Sequence, residues 1–149
     1  MLRWEGITGA LIGECTIERV SVSGKLEANS EVGGLVGRVA RDASLTGYQR
    51  IYDCYVNADI KATGKSTNIE QPTCAGGMAG LMHSNNKDGG AKIDIRRVYV
   101  TGSVIADQKS HGAGNAVGIL AHSQGNDYIQ MQDVVVLCDR IEEGTPNLF

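Results

Sequence analysis

The sequence predicts an all-β chain folded as a right-handed parallel β-helix of about four coils, and three observations carry that expectation. A glycine block, Val32-Gly33-Gly34-Leu35-Val36-Gly37, recurs as Ala75-Gly76-Gly77-Met78-Ala79-Gly80, as Ala116-Val117-Gly118-Ile119-Leu120-Ala121 and, near the start, as Thr8-Gly9-Ala10-Leu11-Ile12-Gly13. Between the blocks lies a second recurring unit in which apolar or small residues fall at every second position, the signature of a strand with one face turned inward. No window shows a sustained 3.6-residue apolar period with caps, and valine, isoleucine and threonine dominate the regular segments. Units that recur roughly every 24 to 44 residues bury their apolar faces by stacking on the next copy, and parallel crossovers are right-handed. An antiparallel β-sandwich is the alternative. It gives no reason for corresponding positions to match from copy to copy.

Taken in order, the alternating unit reads Ile17, Val20, Val22, Gly24, Leu26, Ala28; then Ile51, Cys54, Val56, Ala58, Ile60, Ala62; then Ile95, Val98, Val100, Gly102, Val104, Ala106; and finally Met131, Val134, Val136, Cys138. The gap of three between the first two positions of each copy predicts a bend or bulge there. The residue just before the second apolar position is Arg19, Asp53, Arg97 and Asp133 in turn, so parallel stacking predicts a column of alternating charge, joined by Lys25 against Asp59 and Glu27 against Lys61. Turn formers cluster at residues 64–72, 84–90, 110–115 and 123–127, where insertions between strands are tolerated.

Composition bounds the remainder. At 149 residues the chain is one domain-sized piece, and its twenty glycines against two prolines point to tight corners and close backbone approach. A net charge of −3 with both signs scattered along the chain leaves no basic footprint for nucleic acid. No apolar run approaches the roughly 18 residues of a membrane span, so this segment is expected to make no membrane insertion. Leu2-Arg3-Trp4 runs straight into a repeat half and the chain stops one strand into its last repeat, so residues 1–149 are expected to be one segment of a longer protein.

Glycine blocks of this kind, each paired with an alternating strand that carries a cysteine or aromatic near its start (Asp53-Cys54-Tyr55-Val56), resemble the GLUG repeat family, named from its Gly-Leu-any-Gly core. The resemblance runs from Gly6 to about Cys138. Gly34-Leu35-Val36-Gly37 matches the core in full and Gly77-Met78-Ala79-Gly80 with one conservative change, whereas Ala10-Leu11-Ile12-Gly13 and Gly118-Ile119-Leu120-Ala121 each lack one glycine. The structural repeat positions are therefore Gly13, Gly33, Gly34, Leu35, Gly37, Gly76, Gly77, Met78, Gly80, Gly118 and Ile119. The resemblance implies a bacterial cell-surface or secreted protein, adhesin-like or the non-catalytic part of an immunoglobulin A peptidase, with no chemistry of its own. It supplies no catalytic residue, cofactor or metal ligand, and the zinc signature His-Glu-x-x-His does not occur.

Several residue groups bear on chemistry. The glycine block lacks the frame of a phosphate cradle. Asp53, Asp59, Asp94 and Asp133 are the acids a glycosidase or lyase on such a scaffold would use, but Arg97 between Asp53 and Asp133 favours a salt-bridge column. His83 and His122 follow glycine blocks on one side and His111 lies in a loop, without carboxylates at ligand spacing. Tyr55 and Tyr99 align on the outward face with Tyr52 beside them, which makes this trio the first place to look for a glycan or protein partner. Cys54 and Cys138 fall in different columns two strands apart, so both are expected as buried thiols, with no reason for Cys15 to meet Cys74.

Overall fold

The computed structural model describes residues 7–41, 48–64, 73–84, 92–107, 116–121 and 128–143. Eleven strands account for most of them: β1 (Thr8–Ile12), β2 (Thr16–Glu18), β3 (Ser21–Ala28), β4 (Glu31–Gly33), β5 (Val36–Arg41), β6 (Gln49–Ala62), β7 (Cys74–Gly76), β8 (Ala79–Ser84), β9 (Lys92–Ala106), β10 (Ala116–Val117) and β11 (Tyr128–Glu143). Every pairing among them is parallel. The antiparallel sandwich is thereby excluded for the described residues, and the architecture is all-β and solenoid-like.

The chain visits three sheets in a fixed order. One sheet holds the long strands, with β2 and β3 on β6, β6 on β9 and β9 on β11; a second holds the short strands β4, β7 and β10; the third holds β1, β5 and β8, continued by a bridge from Ala79 to Leu120. In each sheet the neighbours are successive copies of the repeat. The register aligns Ile17 with Ile51, Ile95 and Met131, and Gly24 with Ala58, Gly102 and Cys138, as the alternating pattern requires. Inward residues of all three sheets meet in a single apolar cluster that includes Leu35, Val56, Met78 and Val100.

The predicted bulge is a left-handed residue. Arg19, Asp53, Arg97 and Asp133 have φ of 57°, 55°, 52° and 55°, and they are the non-glycine residues at positive φ among those described. One such residue per long strand rotates the chain so that two consecutive side chains avoid the core, which produces the three-residue gap in the apolar pattern.

The glycine block is explained by close approach. A Cβ on Gly34 would lie 2.4 Å from the Gly77 carbonyl oxygen and 2.5 Å from a Val56 methyl; on Gly77, 1.9 Å from the Gly118 carbonyl oxygen and 2.6 Å from Val100; on Gly118, 2.6 Å from Val136. Each second glycine of the block thus carries a valine of the following long strand, and Gly34 and Gly77 also carry the carbonyl of the next block. Only a residue without a side chain fits. Gly37 lies opposite Gly80, and Gly33 and Gly76 bear the backbone of Val36 and Ala79 in the same way.

One sequence alignment is corrected. β1 places Thr8 against Val36 and Leu11 against Val39, and the Ile7 and Thr8 amides donate to the Leu35 carbonyl as the Leu35 and Val36 amides donate to Met78. The residue equivalent to Leu35 is therefore Ile7, not Leu11, and the core-spaced block is Gly6-Ile7-Thr8-Gly9. Gly13, at φ 86°, belongs instead to the corner leading into β2. Gly6 itself lies outside the described residues.

Candidate functional site

The outward face of the long-strand sheet gathers the polar and aromatic residues singled out from sequence, because alternation points every second side chain of β6 and β9 to solvent and the parallel register stacks like positions. Tyr55 pairs with Tyr99, and the two rings stack with centroids 5.4 Å apart and planes 16° from parallel. Each is 37% exposed. Beside them Thr101 donates to Asn57 Oδ1 at 3.1 Å, and its hydroxyl lies 3.4 Å from that of Tyr55, giving the ring pair a polar rim. Ser21 continues this column on one side and Val135 on the other.

Tyr52, three residues before Tyr55 on the same strand, makes its own contacts with Asp94 and Arg96. Its hydroxyl donates to Asp94 Oδ2 at 2.6 Å, and the Arg96 guanidinium lies over its ring at 5.5 Å from the centroid. Arg96 also donates to both Asp94 oxygens, at 3.0 and 2.7 Å. These bonds from Arg96, reinforced by Tyr52, hold the Asp94 carboxyl below the usual carboxylate range despite its burial, and the bond to Asp94 raises the Tyr52 hydroxyl.

The left-handed column is an ion-pair column where β6 meets β9. Arg97 donates to the two Asp53 oxygens at 2.5 and 2.8 Å, and the Asp53 carboxyl is held down first by those bonds and then by the charges of Arg97 and Arg19. Asp133 adds its charge to Arg97 from the next strand. Lys25 lies opposite Asp59 and Glu27 opposite Lys61 as expected; Asp59 accepts a hydrogen bond from Ser103 at 2.7 Å and Lys61 reaches Asp107 at 3.1 Å.

A buried pair escaped the sequence reading. Glu31 is fully buried and accepts two hydrogen bonds from Arg38, at 2.7 and 2.5 Å. The next copy has Cys74 opposite Glu31 and Leu81 opposite Arg38. Two charged residues seven apart that interrupt two core columns together were the available signal.

Among the described residues the four cysteines are free thiols, and no group of three or more His, Cys, Asp or Glu could hold a metal ion. Cys54 is buried as expected; Cys138 is only half-buried, because β11 is the outer strand of its sheet and nothing described covers its far side. His83 lies in β8, with its backbone opposite Ala40; His111 and His122 lie outside the described residues, as do most of the turn-rich connections.

No protein-family model, curated protein or solved structure matches this chain.

Proposed function

We propose that the chain is a right-handed parallel β-helical segment of GLUG type in a bacterial cell-surface or secreted protein, where it acts as a non-catalytic spacer or adhesion scaffold. The observation that carries this reading is the column arrangement of the long-strand sheet, where like positions of successive copies are stacked in register, Asp53 is bound to its column neighbour Arg97, and Asp94 is bound to Arg96 and Tyr52. Glycoside cleavage needs one carboxyl kept protonated near neutral pH opposite one that is ionised. Asp53 and Asp94 are instead both held ionised by arginines, an arrangement that stabilises a sheet and leaves no proton to donate. The experiment is incubation of the purified chain with a panel of bacterial and host polysaccharides. Unchanged chain length of every glycan is expected, and release of reducing ends that is lost in Asp94→Asn would overturn the reading.

A carbohydrate-binding role is favoured by the stacked Tyr55 and Tyr99 rings, since exposed aromatic faces pack against the apolar face of a sugar ring. Glycan-array binding that disappears in the Tyr55→Ala/Tyr99→Ala double variant would establish adhesion through this surface; equal binding by the variant would remove the tyrosines from it.

A further inference from the structure

The two ends of the long-strand sheet are complementary. The inward residues of β11 continue the core columns, yet Met131 and Ile141 are each 46% exposed while their partners Ile95 and Val104 are fully buried. At the opposite end Ile17, Val20, Val22 and Leu26 are only half-buried, whereas Ile51, Val56 and Ile60 behind them are sealed. Among the described residues no strand pairs with the outer edge of β11 or with that of β2 and β3.

Two further features show what fits there. The alternating charge column ends in Arg19 on one side and Asp133 on the other, so one end carries the charge that the other end lacks. Gly24 and Gly102 share a column and a positive φ, 114° and 91°; a Cβ on Gly102 would lie 2.3 Å from the Ala58 carbonyl oxygen, whereas one on Gly24 would meet nothing within 4 Å. Gly24 thus has the conformation of a residue against which a preceding strand packs, with that place open.

We propose that β11 of one copy docks against β2 and β3 of a second copy as the next parallel strand, so that copies assemble head to tail. In the continued register Met131 meets Ile17, Val134 meets Val20, Cys138 meets Gly24, and Asp133 meets Arg19. Further along, Arg140 falls opposite Lys25 and Glu142 opposite Glu27, so this stretch opposes the contact, with the opposite charges meeting only on the longer diagonals. The contact is heterologous, so growth is open-ended and does not stop at a dimer. It does not depend on the scaffold reading, and its failure would leave that reading intact.

Sedimentation velocity of the 149-residue chain over a wide concentration range tests this. A mass that climbs past the dimer is expected; a chain monomeric throughout, or one that stops at two, would overturn the proposal. Asp133→Arg and Arg19→Asp should each weaken self-association at low salt by on the order of tenfold, and an equimolar mixture of the two variants should recover it, since each junction between unlike variants joins opposite charges. Met131→Asp, at an exposed position, should abolish growth while the far-ultraviolet spectrum stays unchanged. Growth indifferent to both the charge swap and Met131→Asp would show that another surface is used.

Discussion

Asp53 and Arg97 face each other across β6 and β9 with two hydrogen bonds, and both hold a left-handed backbone conformation, at φ 55° and 52°. Side chains with a Cβ resist that conformation, aspartate less than arginine. The strain recurs at one level in each of the four copies, where the bulge aims the charges along a single column. The column converts a local backbone cost into favourable pairing between neighbouring copies.

The first prediction tests that column. Because Arg19 and Arg97 already occupy the left-handed site, Asp53→Arg changes charge with little change in backbone demand, and it places three like charges in consecutive strands. A fall in Tm of roughly 2–6 °C is expected, shrinking as added salt screens the repulsion. Adding Arg19→Asp and Arg97→Asp restores alternation across the first three strands and should recover most of the loss, short of wild type because residue 97 then faces Asp133. Thermal melts at low and high salt decide it; losses that simply add would show that the column contributes no pairing.

A second prediction concerns acid. The Asp94 carboxyl is held below its usual range chiefly by the Arg96 hydrogen bonds, and the Asp53 carboxyl by those of Arg97. A depressed folded-state pKa means that stability is fully present above the unfolded value of about 4 and is lost as pH falls through the folded value. Tm should therefore be flat near neutrality and drop below pH ~4. Asp94→Asn should flatten part of that drop, and Tyr52→Phe should lower stability at pH 7 by about 1–2 kcal/mol through loss of one charge-assisted bond. A Tm profile of Asp94→Asn parallel to wild type throughout would remove Asp94 from the acid transition.

The long strands were legible because their period of two is written in residues that must be inward, and one misplaced step would have turned Val56 or Val100 to solvent. The register, the bulge and the charge column followed from that. The first glycine block was misaligned by four residues because Ala10-Leu11-Ile12-Gly13 imitates the motif, while the equivalence of Ile7 to Leu35 is expressed in backbone hydrogen bonds. The Tyr52–Asp94–Arg96 cluster was not legible, since it joins β6 and β9 diagonally across the column order and includes a neighbour two residues away on the same strand. The half-exposure of Cys138 depends on which strand is outermost, which no local pattern encodes.

Thiol chemistry gives a third prediction. Cys74 is fully buried and its thiol is pushed up to about 12, first by burial and then by the Glu31 charge; Cys54 is buried and raised as well. Both should resist alkylation of the native chain, because the thiolate is the reactive form. Cys15 and Cys138 are half-buried and should be labelled slowly. Mass spectrometry after denaturing, non-reducing alkylation should count four modified cysteines, and a bridge between Cys54 and Cys138 would contradict the register.

The last prediction contrasts a glycine of the recurring block, Gly77, with one of the alternating strand, Gly24. A Cβ at Gly77 would press to 1.9 Å from the Gly118 carbonyl oxygen and 2.6 Å from Val100, between a neighbouring backbone and a core side chain. Gly77→Ala should cost about 3 kcal/mol, at the upper end of overpacking effects, and should leave much of the chain unfolded or insoluble. Gly24 has open space beside it, so Gly24→Ala incurs only the backbone strain of its positive φ, about 1 kcal/mol, and the monomer should fold with a modestly lower midpoint in urea. Its added methyl would, however, stand where an incoming β11 must approach. Gly24→Ala should therefore reduce head-to-tail association by more than its effect on the monomer's unfolding midpoint accounts for. Equal urea midpoints for Gly24→Ala and Gly77→Ala would mean that the glycine block does not bear the contacts between copies, and that the spacing of the three sheets is set elsewhere.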